Sequence, residues 1–184
     1  YLNTGAERFM EIAQMTHLAN TDWTWSLKFA DLDSDGGVDL FISNGMSRDW
    51  GNADLDAQVA ELGGKESPAG KQFWLSQSKL AEANLAFRNL GDLRFQNVGG
   101  DWGLDHLGVS FGAALGDLDG DGDLDLVVNN FEDEAGIYRN DAPNGHRVVI
   151  RLRGESSNRD GIGATVRIAN ADGVQVRYMT LAGG

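Results

Sequence analysis

The stretch GDLDGDGDLDLVVNN, residues 116–130, decides how this chain is organised. It places five aspartates at alternate positions and then continues with apolar, β-branched residues of the kind found in buried strands. Carboxylates this close together repel one another, so the cluster needs a compensating positive charge. The stretch therefore predicts a charged loop that leads directly into a strand.

A second copy of this loop lies 86 residues earlier in the chain. Residues 31–40 read DLDSDGGVDL, and residues 117–126 read DLDGDGDLDL. At the same offset, residues 3–9 (NTGAERF) align with residues 89–95 (NLGDLRF) without a gap. Repetition of this kind predicts two copies of one structural unit. An aromatic-x-Asn pattern at residues 1–3, 87–89 and 138–140 indicates a third, partial copy.

Each unit alternates short apolar stretches with turn residues, which predicts roughly four strands per unit, as in the blade of a β-propeller. The chain is therefore expected to be mostly β, with a partial propeller of about two blades. Between the copies lies an insertion, at about residues 48–86, whose period is helical. Leu55, Val59 and Leu62 share a helix face behind two candidate capping residues, Asn52 and Asp54. Residues 71–85 are also rich in helix formers, and Trp50, Phe73 and Trp74 are expected to pack the insertion onto the repeats.

The residue pattern of the sequence changes after residue 140. A turn-rich link over residues 141–145 precedes three predicted strands, at residues 148–153, 164–168 and 174–178. Asp172 and Gly173 form a hairpin signal between the last two of these strands. The expected division is a repeat region over residues 1–143 and the start of a second, antiparallel β module over residues 144–184.

The aspartate loops have the pattern D-x-D-x-D-G-x-x-D, in which side chains one, three, five and nine can converge if the loop curls tightly. A backbone carbonyl at position seven would complete a cage of oxygen atoms, and six to eight oxygen ligands suit Ca²⁺ better than Mg²⁺. An EF-hand would need a glutamate at position twelve, where this chain has Ile42 and Val128. An EF-hand is therefore excluded.

Two alternatives bear on the role of these loops. One is a solvated acidic turn that holds no metal. The other is a catalytic metal, but a cage of five oxygen donors leaves little room for substrate. A structural calcium ion that stabilises only the folded form is the favoured interpretation.

At these residues the chain resembles the FG-GAP or VCBS repeat family, whose units build β-propellers. The resemblance rests on FGAA at residues 111–114, on the loop at residues 117–125, and on FRNLG at residues 87–91 with Phe95. The tail at residues 152–154 and 157–164 is similar to the ASPIC/UnbV domain. That domain commonly follows such repeats in bacterial proteins and in the cartilage acidic protein group.

The resemblance implies two Ca²⁺ sites in an extracytoplasmic protein (periplasmic, cell-surface or secreted) with a binding or adhesion role toward a protein or glycan ligand. Carried over by position, the side-chain ligands are Asp31, Asp33, Asp35 and Asp39 in the first loop, and Asp117, Asp119, Asp121 and Asp125 in the second. Gly37 and Asp123 would contribute backbone carbonyls.

Composition limits the other functions. A net charge of −13 argues against nucleic acid as a partner, because phosphates favour a basic face. No apolar run reaches the roughly 18 residues of a membrane span, and no signal peptide is visible. The absence of cysteine excludes disulfides and thiolate zinc sites. The chain is expected to be a piece of a larger protein, whose remainder would be one of its partners.

A non-catalytic role is expected, with two other hypotheses open. One is a polysaccharide-active enzyme, which would need a carboxylate pair outside the loops, and Asp101 and Asp105 near Trp102 are the candidates. The other is a purely architectural spacer within a larger protein. His17, His106 and His146 are scattered and suggest neither a metal site nor a catalytic base.

Overall fold

The computed structural model describes residues 1–142, 148–156, 158–170 and 173–180, and this part of the chain is mostly β. Its strands are β1 (Leu2–Asn3), β2 (Phe9–Met10), β3 (Thr24–Ala30), β4 (Asp39–Asn44), β5 (Glu82–Ala83), β6 (Leu85–Asn89), β7 (Phe95–Asn97), β8 (Leu107–Gly108), β9 (Ser110–Gly116), β10 (Asp125–Asn130), β11 (Gly136–Tyr138), β12 (Thr165–Asn170) and β13 (Gly173–Tyr178). Its helices are α1 (Ala53–Glu61), α2 (Pro68–Ser76) and α3 (Gly99–Trp102). Within the described ranges, no helix has the length and apolar character to cross a membrane.

Two antiparallel sheets carry the repeats. Sheet 1 has the strand order β3-β4-β6-β7, and sheet 2 has the order β9-β10-β11. Three smaller pairs accompany them, namely β1-β2, β5-β8 and β12-β13. Sheet 1 therefore has the four strands expected for one unit, and sheet 2 has three among the described residues.

The first two strands of each sheet are equivalent residue by residue. β3 pairs with β4 so that Ala30 lies opposite Asp39, and β9 pairs with β10 so that Gly116 lies opposite Asp125. The register slips once in each pair, at Trp25 in β3 and at Phe111 in β9, and these positions are also 86 residues apart. This agreement confirms that the sequence repeat is a structural repeat.

The main hydrophobic core lies between the two sheets. On sheet 1, Phe41 and Ala86 are fully buried on the inner face, the face that turns toward sheet 2. On sheet 2, Leu126 and Val128 are buried on the facing side, its inner face. The hydroxyl of Ser43 in sheet 1 donates to the carbonyl of Phe111 in sheet 2 at 3.1 Å. Apolar burial and this bond fix how the sheets stack.

A smaller cluster occupies the outer face of sheet 1, opposite the main core. Leu40, Ile42 and Phe87 are buried there, and Leu18 packs against them. Strand β4 therefore has apolar residues on both faces, and all six of its residues are buried. This continuous burial explains why residues 39–44 form the central strand of the sheet.

The inserted segment forms the two helices α1 and α2. Asn52 caps α1 as expected, because its side-chain oxygen accepts from the backbone N–H groups of Asp54 and Leu55. Trp50 and Trp74 pack with their ring centroids 4.4 Å apart. The helix expected over residues 71–85 is wrong at both ends: α2 begins at Pro68 behind the cap Ser67 and ends at residue 76. Residues 82–83 and 85–89 instead pair as strands β5 and β6, since strand pairing in the sheet outweighs local helix propensity.

The C-terminal part contains the expected hairpin. β12 pairs with β13 along their whole length, from Thr165 opposite Tyr178 to Asn170 opposite Gly173. The expected strand at residues 148–153 is wrong, because those residues have no regular secondary structure and pair with no described strand. Asp172 of the hairpin signal lies outside the described residues, as do His146 and the expected domain boundary at residues 143–144.

We expect Phe41→Ala to lower the free energy of unfolding by about 3–5 kcal/mol, because it opens a cavity between the two sheets. Phe9→Ala makes the same chemical change at a side chain that is 70% exposed, and should change stability by about 0.5 kcal/mol or less. Urea unfolding followed by tryptophan fluorescence measures both. Equal losses in the two variants would contradict a core between the sheets.

Candidate metal centre

Each aspartate loop connects two antiparallel neighbours at the same end of its sheet. Loop 1 (residues 31–39) runs from β3 into β4, and loop 2 (residues 117–125) runs from β9 into β10. The sixth residue of each loop is a glycine with positive φ, 92° at Gly36 and 94° at Gly122. Residues other than glycine rarely adopt this backbone conformation, so these glycines allow the loops to curl as expected.

The ninth aspartate anchors each loop to its sheet. Asp39 is fully buried, and its two carboxylate oxygens accept from the backbone N–H groups of Leu32 at 2.9 Å and Asn89 at 2.8 Å. Asp125 is also buried and accepts in the same way from Leu118 and Asn140, both at 2.8 Å. Asp39 thereby ties the start of its loop to the last residue of β6, and Asp125 ties the start of its loop to the segment that follows β11.

Three carboxylates meet in each loop. One oxygen atom from each member of a triad lies within 4.8 Å of the others, a separation at which a single ion can contact all three. The first triad is Asp31, Asp33 and Asp39, and the second is Asp117, Asp119 and Asp125. Positions one, three and nine of both loops therefore converge, and either triad could hold a metal ion.

Asp31 places a buried carboxylate oxygen in its triad that no described group satisfies. Its Oδ2 accepts from the backbone N–H of Gly36 at 3.0 Å, but its Oδ1 is buried and has no hydrogen-bond partner among the described residues. Burial raises the pKa of Asp31, and the nearby carboxylates of Asp35 and Asp33 raise it further. An oxygen-only donor set with an unsatisfied buried oxygen fits a hard cation such as Ca²⁺.

Position five lies outside the triad in both loops. In loop 1, Asp35 accepts from the backbone N–H of Gly37 at 2.8 Å and from the guanidinium of Arg88 at 2.9 Å. Burial raises the pKa of Asp35, but these bonds outweigh it, so the pKa is lowered overall. In loop 2, Asp121 accepts from the backbone N–H of Asp123 at 3.1 Å. The expected roles of Asp35 and Asp121 as ligands, and of the carbonyls of Gly37 and Asp123, stay predictions.

Arg88 is a site residue that the sequence did not reveal. Its Nε lies 2.6 Å from Asp33 Oδ2, and its Nη2 lies 2.9 Å from Asp35 Oδ2. The guanidinium therefore neutralises part of the negative charge of loop 1. The equivalent residue beside loop 2, Arg139, instead pairs with Asp141 at 2.8 Å. Loop 1 therefore has an arginine side chain paired with its aspartates, whereas the equivalent arginine beside loop 2 pairs with an aspartate outside that loop.

The asparagines of the aromatic-x-Asn pattern are hydrogen-bonded to the two aspartate loops. The side-chain amide of Asn89 donates to the carbonyl of Val38 at 3.1 Å, and that of Asn140 donates to the carbonyl of Leu124 at 3.3 Å. Both acceptors are the eighth residue of a loop. Asn140 also donates to the carbonyl of Leu32 at 2.7 Å, which joins loop 1 to the strand beside loop 2. The sequence pattern indicated a repeated unit at these positions, and the structure shows that its asparagines bond to the loops.

A cleft of about 640 Å³ opens between the two loops. Leu104 and Leu126 contribute apolar surface to it, and Trp102 and Tyr138 contribute aromatic rings. Charged side chains from both sides also line it, namely Asp33, Asp35, Arg88, Arg139 and Asp141. The cleft thus combines stacking surfaces with hydrogen-bonding groups, and loop 1 and residues 138–142 form much of its lining, to which loop 2 adds Leu124.

The other candidate residues lie apart from the triads. Asp101 and Asp105 are exposed, and neither lines the cleft among the described residues, although the charge of Asp105 adds to burial in raising the pKa of Tyr138. His106 Nε2 lies 3.5 Å from Asp133 Oδ2. His17 occupies a turn with φ of 60°.

A scan against protein-family models and a search of the curated proteins gave no match for this chain. The likeness to FG-GAP/VCBS repeats and to the ASPIC/UnbV domain therefore stays a prediction from the residues.

We expect the carboxyl group of Asp39 to titrate with a pKa of about 6 in the presence of chelator, because burial disfavours its ionised form. The nearby carboxylates of Asp33 and Asp35 act in the same direction, against the two backbone hydrogen bonds. The folded pKa exceeds the ordinary value of 3.8, so between these two values the folded state binds more protons than the unfolded state. The free energy of unfolding should therefore fall as pH rises through this window.

Carbon-13 NMR of the aspartate carboxyl groups measures this titration directly. Saturating Ca²⁺ should move the Asp39 midpoint below the ordinary value, because the ion stabilises the carboxylate form. A midpoint that calcium leaves unchanged would show that Asp39 does not contact the metal.

Proposed function

We propose that this chain is a calcium-binding repeat protein with one Ca²⁺ site in each aspartate loop. The observation that carries the proposal is the duplicated frame: both loops bring positions one, three and nine together, and both bury the ninth carboxylate under two backbone N–H donors. A chance acidic turn does not account for the same frame occurring twice. The carboxylate-only donor set favours Ca²⁺ over softer metals.

The role proposed for the metal is structural. The aspartates lie where two strands of one sheet are joined, so an ion bound there would hold the loop in its folded form and relieve carboxylate repulsion. The ligand sets proposed are those expected from the pattern, with Asp35, Asp121 and the carbonyls of Gly37 and Asp123 completing the triads. Binding of the ion would draw these groups toward the carboxylates that already converge.

The biological role that we propose is that of a binding or adhesion scaffold for a protein or glycan ligand outside the cytoplasm. The cleft between the loops supports this role, because aromatic rings beside hydrogen-bonding charges suit recognition, and the loops would fix its sides. Calcium sites of extracellular modules work at about 10⁻⁴–10⁻³ M, which favours an extracytoplasmic location. Membership of the FG-GAP/VCBS repeats, with the two sheets as propeller blades, is part of the same proposal.

Calcium should raise the melting temperature. At a free concentration of about one hundred times the dissociation constant, each site adds about 2.7 kcal/mol of stability. For a chain of this length, that corresponds to a rise of about 5–10 °C per site. Asp117→Asn should remove the contribution of the second site to this rise. Asp92→Asn, at a carboxylate that is 93% exposed and belongs to neither triad, should retain the full rise.

Differential scanning calorimetry with Ca²⁺ and with chelator gives these values, and titration calorimetry gives the stoichiometry. We expect two ions in the wild type and one in Asp117→Asn. A melting temperature that is the same in calcium and in chelator would refute the calcium proposal.

Arg88→Ala should tighten calcium binding at the first site by up to about fivefold, because a partly exposed guanidinium no longer competes for Asp33 and Asp35. The measurement is titration calorimetry on a chain that also carries Asp117→Asn, so that only the first site is observed. Arg139→Ala is the matched control, since its ion pair is with Asp141. Weaker binding in Arg88→Ala would mean that Arg88 positions the ligands instead of competing with the ion.

A further inference from the structure

Because of the repeat, each face of sheet 1 has an equivalent face on sheet 2. The inner face of sheet 2 corresponds to the outer face of sheet 1, since Leu40 and Ile42 are the counterparts of Leu126 and Val128. The inner face of sheet 1 likewise corresponds to the outer face of sheet 2. The observed contact between the inner faces therefore joins two non-equivalent surfaces. The outer faces at the two ends of the stack are the repeat equivalents of these same two surfaces.

At one end of the stack, the outer face of sheet 1 is incompletely covered. Leu27 is 54% exposed and Phe29 is 64% exposed on β3. Their counterparts on β9, Ala113 and Leu115, are partly buried and pack against the main core. Sheet 1 therefore covers the face of β9 that carries Ala113 and Leu115. The equivalent face of β3, which carries Leu27 and Phe29, is largely exposed.

At the other end, the outer face of sheet 2 shows the same relationship. Ile137 is 70% exposed, whereas its counterpart Ala86 in the aromatic-x-Asn alignment is fully buried. Asn129 is exposed, whereas its counterpart Ser43 is fully buried. Val127, partly exposed, stands in the place of the fully buried Phe41. Repeat proteins that end in solution carry polar outer faces, whereas the two ends of this stack expose large apolar side chains, Phe29 at one end and Ile137 at the other.

We infer that the outer face of sheet 1 is a docking surface for the outer face of sheet 2 of a second copy of this chain. The contact would repeat the one already present between the two sheets, so it is continuous with an established interface. The outer face of sheet 1 has Leu27 where the inner face of sheet 2 has Ala113, and the outer face of sheet 2 has Val127 where the inner face of sheet 1 has Phe41. At this pair of positions the larger side chain moves from one partner to the other. Phe29 and Ile137 are larger than their counterparts Leu115 and Ala86, so they would add apolar surface to the docked contact.

The connection that precedes each sheet supports the same arrangement. Leu18 packs on the outer face of sheet 1, and its counterpart Leu104 belongs to the main core. Since Leu104 is compatible with close contact between the two sheets, Leu18 in the equivalent place leaves room for a docked sheet. The interface is heterologous, so association would run head to tail and would not close at two copies.

Analytical ultracentrifugation of the 184-residue chain at about 0.15 M salt, where its net charge is partly screened, tests this inference. The weight-average mass should rise with concentration above the 19.9 kDa of one copy. Phe29→Glu blocks one face and Ile137→Glu blocks the other, and each should weaken association by at least about thirtyfold, the effect of a hot-spot residue. Leu75→Glu, at a leucine on α2 that is 68% exposed, is the control and should associate like the wild type.

Mixing the two blocked variants gives the sharpest result. Phe29→Glu keeps its sheet 2 face and Ile137→Glu keeps its sheet 1 face, so the mixture should form pairs of one copy of each and grow no further. Urea midpoints within the range of the control confirm that the variants are folded.

Three outcomes would overturn the inference. They are a mass that stays at one copy at every concentration, association that neither substitution weakens, and association that Phe29→Glu abolishes but Ile137→Glu leaves intact, which would indicate a symmetric dimer. Phe29 and Ile137 belong to neither aspartate triad, so with calcium held constant these results can be read separately from whether the loops bind Ca²⁺.

Discussion

The fold depends on two carboxylates, Asp39 and Asp125, buried where β4 and β10 begin. A buried carboxylate is costly unless its oxygens are satisfied, and here each accepts from two backbone N–H groups. One donor belongs to the loop and the other to the end of the next strand in the sheet. A single side chain therefore fixes the loop conformation, the register of the outer strand and the position of the remaining aspartates.

Much of this could be predicted from the sequence because the repeat carries it. The spacing of the aspartates predicted that positions one, three, five and nine converge, and the structure brings together positions one, three and nine. The glycine at position six predicted the curled loop. The spacing of Leu55 and Val59 after Asn52 predicted α1, since local capping and periodicity decide where an exposed helix begins. These features depend on residues close together in the chain, which sequence patterns describe well.

The features that the sequence did not reveal depend on contacts between distant residues. Arg88 reaches Asp33 and Asp35 only because β6 lies beside β4 after a long insertion, and nothing in its local sequence marks it as part of the site. Residues 82–89 contain helix formers, but pairing with β8 and β4 draws them into strands. The apolar alternation at residues 148–153 resembles a strand, yet a strand needs a partner, and none of the described strands lies beside it.

The place of the insertion has a consequence for how such chains vary. The segment with α1 and α2 enters between β4 and β6, two antiparallel neighbours whose pairing it leaves intact. Asn3 and Asn89 are 86 residues apart, whereas the equivalent step from Asn89 to Asn140 takes 51, although the same loop and strands recur. Because loop closure becomes only slowly more costly with length, this junction can gain or lose whole segments during evolution. In this architecture the period is set by geometry and not by residue number, so related chains should be aligned on their aspartates before their lengths are compared.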